Sequence, residues 1–125
     1  MPFQRYEQYN TLWDNCPSRE VLNMIADKWT VMVIYALSKG TTRHGKLLRS
    51  ISGISQKMLT QTLRQLEASG LVQRTVYPVV PPKVEYALTT LGTSLLEPVT
   101  AIKEWAEDHM EEIIVAQEHF EAQQG

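Results

Sequence analysis

Gln56, Lys57, Thr60, Gln61 and Arg64 follow one another at steps of one, three, one and three, with no acidic residue among them. On a helix these positions share one face, while Leu59, Leu63 and Leu66 share the other. Glutamine and arginine can place paired hydrogen bonds on purine edges, a threonine methyl can meet that of thymine, and Lys57 suits a base or a phosphate. Ser55 can cap the helix, whose first backbone amides carry partial positive charge and suit phosphate. Such a set reads a duplex without making or breaking bonds. The plainer reading is a solvated polar helix, but such helices normally mix charge signs and this face does not.

Charge along the chain points the same way. Between Lys39 and Lys83 stand eight basic residues and a single acid, Glu67, a balance of +7. The remaining four basic and thirteen acidic residues give −9, and the sum is the net −2 of the chain. A cationic middle in an otherwise anionic domain implies a polyanionic partner. Arg43, Lys46 and Arg49 precede the reading helix and Arg74 and Lys83 follow it; all five suit the nucleic-acid backbone. Neutralising five or six phosphates would give a slope of log K against log salt of about −5 per subunit.

These side chains need a frame. The 125 residues make one domain, 43% hydrophobic and 21% charged, an ordinary folded composition. Phe3, Tyr6, Tyr9, Leu12 and Trp13 predict an amphipathic helix over 3–13, broken at Asn15-Cys16-Pro17. Ser18 is expected to cap a short helix, and Asp27 a core helix rich in apolar residues from Trp29 to Leu37. Thr41 or Thr42 is expected to cap the helix carrying Leu47, Leu48 and Ile51. A break at Ser52-Gly53-Ile54 leads to the helix opening at Ser55 and closed by Ser69-Gly70. Two short helices so joined read as a helix-turn-helix over 41–70. Alternation from Val72 to Tyr77 and from Val84 to Thr89, around the stiff stretch Pro78 to Lys83, predicts a hairpin wing over 71–89. From Thr89 or Thr90 a long helical stripe runs through Leu95, Val99, Ile102, Ala106, His109 and Ile113, with Trp105 and Ile114 beside it and Pro98 kinking it or opening a second helix. Its apolar side and acidic flanks suit a subunit interface over 90–120. The fold class is therefore mainly α with a small β-hairpin: one winged helix-turn-helix domain spanning 1–125.

Several stretches also resemble the HxlR family of winged-helix transcription regulators of bacteria, relatives of the MarR-type repressors. They are Cys16-Pro17, Lys28-Trp29-Thr30, Gly53-Ile54-Ser55-Gln56-Lys57-Met58-Leu59-Thr60, the run from Leu63 to Val72, the wing from Tyr77 to Tyr86, and Leu88-Thr89-Thr90-Leu91-Gly92. The resemblance implies a homodimer formed by the N-terminal helix (1–15) and the C-terminal helix, a reading helix starting at Ser55, and double-stranded DNA as partner. The two-fold axis would put two such helices about 34 Å apart on an inverted repeat. Three positions depart from the family pattern: His44 replaces a common aromatic, Lys46 an acid, and Val79 a wing acid. His44 is expected to weaken local packing, while the other two make the DNA side more positive.

In that family the cysteine before the proline is sometimes a sensor of oxidants or electrophiles, and Cys16 occupies that place. A helix N-terminus lowers a thiol's pKa, and Arg19 is near in sequence. The alternative is a buried, inert cysteine. One cysteine per chain limits any reaction to an adduct, a mixed disulfide or a bridge between two chains, and suits a cytoplasmic protein. A small-molecule or electrophile effector is compatible with this reading. No secretory leader or membrane-length apolar run stands out. His44, His109 and His119 are too scattered for a zinc site, and neither a phosphate loop nor a nucleophile elbow occurs, so the expectation is a non-enzyme without cofactor or metal. The competing class is a winged-helix dimer acting as a protein-interaction module without specific DNA binding.

Overall fold

The computed structural model describes residues 9–124. The expected first helix lies mostly outside that range, and its described part, from Tyr9 onward, is not helical. Asn10 organises a turn there. Its side-chain oxygen accepts the Leu12 amide at 3.0 Å, its carbonyl accepts the Trp13 amide, and the Trp13 carbonyl accepts the Cys16 amide. Asparagine favours such turns because its side chain competes with the helical backbone bonds. Arg19 then holds the turn down, donating to the carbonyls of Thr11 and Leu12 at 2.8 Å each.

Helix α1 spans Pro17–Ala26. Its cap is Cys16 rather than Ser18, with extended backbone and no side-chain capping bond. Proline explains the difference: Pro17 takes the first helical position, where its fixed φ fits, and forces the residue before it to be extended. Helix α2, Lys28–Leu37, is capped by Asp27, whose carboxylate accepts the amides of Trp29 and Thr30. Thr30, Val33, Ile34 and Leu37 are buried on it.

Thr42 and Arg43 do not cap the next helix through a side chain. They form strand β1, which pairs with Tyr86 and Glu85. Helix α3, His44–Ser50, starts directly from Arg43 as its cap. Gly53, at φ +88°, turns the chain into Ser55 and helix α4, Gln56–Ala68. Gly70, at φ +76°, ends α4 in a Schellman motif: its amide bonds the Glu67 carbonyl and the Leu71 amide bonds the Leu66 carbonyl.

Strands β2, Val72–Tyr77, and β3, Lys83–Leu88, form the antiparallel wing, with Val72 opposite Leu88 and Tyr77 opposite Lys83. The sheet order is β1-β3-β2. The C-terminal stripe divides into three helices, α5 (Thr90–Thr93), α6 (Leu96–Asp108) and α7 (Met110–Gln124), so of the two readings of Pro98 the opening of a further helix holds. Pro98 lies in the first turn of α6, where its missing N–H costs no bond. Gly92 sits so close to the Leu71 carbonyl that a Cβ would collide with it.

The core lies where α2 meets α4 and α6, closed by Leu47, Ile51, Leu71 and Val72. Leu59, Leu63 and Leu66 are fully buried in it. Each contributes about 1.5–3 kcal/mol of transfer free energy, and together they fix which face of α4 remains outside.

Candidate nucleic-acid interface

Helix α4 is held at both ends. Ser55 accepts the Met58 amide at 3.0 Å, and the glycine motif closes the other terminus. With the leucines inward, Gln56, Lys57, Gln61 and Arg64 are exposed and Thr60 is half-buried. All five line one shallow concavity of about 410 Å3. No carboxylate lines it, and among the described residues none of the cations there has an ion-pair partner.

The sixth lining residue is His44, the position expected to weaken local packing. Its Nε2 lies 3.2 Å from the Thr60 hydroxyl. His44 therefore ties α3 to α4 at the polar face of α4, through one of the side chains expected to contact bases. A polar ring directly after Arg43, at the head of the helix-turn-helix, was the available clue.

The flanking cations differ in their surroundings. Arg43 and Arg49 are exposed and, among the described residues, free of ion pairs. Arg74 is 3.4 Å from Glu67. Lys83 is 3.5 Å from Glu85 and 4.9 Å above the Tyr77 ring. Glu85 also holds the Tyr77 hydroxyl, first by a hydrogen bond and then by its charge, and so pushes that phenol above its ordinary pKa. Glu85 is thus the wing's counter-ion, supplied by β3 just past the basic stretch. The wing tip carries no charge, and Val80 there is 100% exposed. Lys46 does not join the α4 concavity; it lines a separate groove between α2, α3 and α6.

Cys16 is only 6% exposed, yet its sulfur is surrounded by donors. The Ser18 hydroxyl lies 3.0 Å away and the Asn10 amide donates at 3.2 Å. The Ser18 hydroxyl lowers the thiol's pKa most; burial opposes it, and the amides of Ser18 and Asn10 lower it further. Arg19 contributes by fixing the covering turn rather than by facing the sulfur.

The C-terminal helices divide at Val99. Up to that residue Leu95 and Leu96 pack against the core, and Val99 itself is buried. Beyond it Ile102, Trp105, Met110, Ile113, Ile114 and Phe120 are exposed, and α7 buries nothing. The His109 ring stacks on Trp105 with centroids 4.5 Å apart, at the break between α6 and α7. Among the described residues no group of acids, histidines and cysteine could hold a metal ion, and no helix is long and apolar enough to cross a membrane.

Comparison with known proteins gives consistent matches. The family model for HxlR-like helix-turn-helix proteins matches residues 24–114. The HTH-type transcriptional regulator YtfH of Escherichia coli (strain K12), itself uncharacterized, is 43% identical over 115 residues, covering 92% of this chain and 91% of its own. The solved structure of ytfH from Salmonella typhimurium, assigned as a transcriptional regulator, superposes with a TM-score of 0.83 at 42% identity, over 88% of this chain and 98% of that one. The redox regulator HypR in its reduced form gives 0.72 at 40% identity, over 79% and 98%. The diamide-treated YodB from B. subtilis gives 0.64 at 33%, over 77% and 96%.

Proposed function

The chain belongs to the HxlR-like helix-turn-helix family and is a transcriptional regulator of the HTH type; from that premise we propose that it works as a homodimer that reads an inverted repeat with α4 in the major groove. One observation carries this reading: α4 turns its three leucines fully inward and offers a capped, single-signed polar face outward. Gln56, Gln61 and Arg64 address base edges, and Thr60 does so from its bond with His44. Lys57, Arg43 and Arg49 meet phosphate, as do the Ser55 cap and the amides it leads into. Arg74 and Lys83 reach the backbone or minor groove at the wing, but each must first give up Glu67 or Glu85, so they add less affinity than the unpaired arginines. Lys46 stands at the edge of this footprint.

The exposed apolar residues of α6 and α7 are the surface for the second copy, since many large apolar side chains left open on a small regulator mark an association site. Two-fold pairing through it sets the two reading helices about one DNA turn apart. The protein acts in the cytoplasm without an enzymatic step or a cofactor.

Cys16 gives the regulator its response to oxidants or electrophiles. Its lowered pKa supplies thiolate, and its burial beneath the turn from Asn10 to Asn15 restricts which reagents reach it. HypR, a redox regulator, and YodB, solved after diamide treatment, support the reading by likeness.

Selecting genomic fragments with the purified protein gives the operator, which is then titrated against random duplex at several salt concentrations. Tight binding to a palindromic site, with a steep negative salt slope, is expected. No salt-dependent binding at low salt, or equal affinity for operator and random duplex, overturns the reading in favour of a protein-interaction module. For the thiol, wild type releases the operator under diamide or a quinone and Cys16→Ser does not; equal release by both removes Cys16 from the mechanism.

A further inference from the structure

A second concavity shares no lining residue with the α4 face. It encloses about 620 Å3 between α2, α3 and α6, within the range of about 300–1,000 Å3 typical of small-molecule sites. Met32 and Tyr35 of α2 and Leu47 and Ile51 around α3 give it an apolar floor. Three lysines stand at its edge, Lys39, Lys46 and Lys103, and no acidic side chain lines it. The three cations are not equivalent. Lys103 is committed, 2.8 Å from Glu107 and 4.4 Å above the Tyr35 ring, and Glu107 holds its ammonium above the usual pKa. Among the described residues Lys39 and Lys46 have no counter-ion and no hydrogen-bond acceptor. The hydroxyls divide in the same way: Thr42 and Ser50 bond back to the carbonyls of Gly40 and Lys46, while Thr41 and Ser52 have no such bond among the described residues.

We propose that this groove binds a small organic carboxylate, its apolar body on the Met32–Tyr35–Leu47–Ile51 floor and its carboxylate between Lys39 and Lys46. An inorganic anion would meet the lysines but leave the floor wet, and a neutral hydrocarbon would cover the floor but leave both ammonium groups unused. The lysine stems can lie along the apolar wall while their charged ends meet the carboxylate. The groove is walled by α3, which leads into the reading helix, and by α6, which runs on into the exposed arm. Its meaning as an effector site rests on the proposed regulatory function; the binding itself does not.

The test is a calorimetric titration of the full chain, without DNA, using three probes: 2-naphthoate, its uncharged isostere 2-naphthamide, and inorganic phosphate. Saturable binding of naphthoate at one site per chain is expected, with naphthamide and phosphate each at least about tenfold weaker. Lys39→Gln and Lys46→Gln should each weaken naphthoate about five- to tenfold, and Lys28→Gln, on an exposed position outside the groove, should not. Absence of saturable naphthoate binding overturns the site. Naphthamide or phosphate binding as well as naphthoate overturns the ligand class, and lysine variants without effect overturn the location. With no duplex in the cell, loss of operator binding in the separate DNA assay would leave these results untouched, and the converse holds.

Discussion

Helix α4 and the arm formed by the far half of α6 with α7 are opposite in how they satisfy themselves. The first hides three leucines completely, closes both termini with bonds from its own chain, and turns Gln56, Lys57, Gln61 and Arg64 outward. The second leaves seven large apolar side chains exposed, Trp105 at 56%, among many acids. A helix stabilised mainly by its packed face needs something to pack on. For α4 the chain supplies it, and the polar face is free for a ligand. For the arm the described residues do not, and in the proposed function a second copy supplies the complement.

The largest effect that can break this contrast is on stability. Leu63→Ala is expected to cost about 2–5 kcal/mol in urea unfolding, because the cavity lies at the meeting of α2 and α4. Ile113→Ala on the arm should cost less than about 0.5 kcal/mol when measured at a concentration too low for association. Comparable costs would mean that the arm packs on its own chain. Next comes association. Trp105→Ala should raise the dimer dissociation constant by about 2 kcal/mol or more, roughly 30-fold by sedimentation equilibrium, while leaving the dilute chain folded. An unchanged constant would remove Trp105 from the interface.

On the other side of the contrast, Arg64→Ala should lose about 1–3 kcal/mol against the operator and relax preference at one or two base pairs. Arg49→Ala should weaken every duplex alike and make the salt slope shallower by about one. If the two variants behaved the same, the separation of base readers from phosphate contacts would fail. The smallest expected effect is at the thiol. Ser18 is the main cause of the lowered Cys16 pKa, so the folded chain carries thiolate at a lower pH than the unfolded chain does. Ser18→Ala should move the pH profile of iodoacetamide reaction to higher pH and slow the reaction near neutrality. A profile that stays in place would show that the hydroxyl is not the donor.

Helix α4, its Ser55 cap, its glycine stop, the wing and the Asp27-capped core helix are legible because each is local: a cap, a period and a turn residue lie within a few positions of one another. What was not legible is decided elsewhere in the chain. Aromatic residues at helical spacing from Tyr9 to Trp13 are overridden by the bonds of a single asparagine. Thr42 pairs with Tyr86 because the wing returns beside it, which no local pattern can announce. The two breaks in the C-terminal stripe leave its apolar spacing almost intact. The link from His44 to Thr60 is not announced locally, because the two stand sixteen positions apart. Lys46 was read by charge alone, and only the packing of α2 and α6 beside α3 sets it at a groove.

Thr89 joins regions that are distant in sequence. Its hydroxyl donates to the Gly70 carbonyl at 2.6 Å and accepts the Gly92 amide at 3.0 Å, while its own amide bonds the Leu71 carbonyl. One residue thereby welds the exit of α4 to the root of the C-terminal helices, with Gly92 pressed against Leu71 so that nothing larger fits between. Because one hydroxyl serves both bonds, Thr89→Val, which keeps the side chain's shape, would remove the link to Gly70 and the cap on the Gly92 amide together.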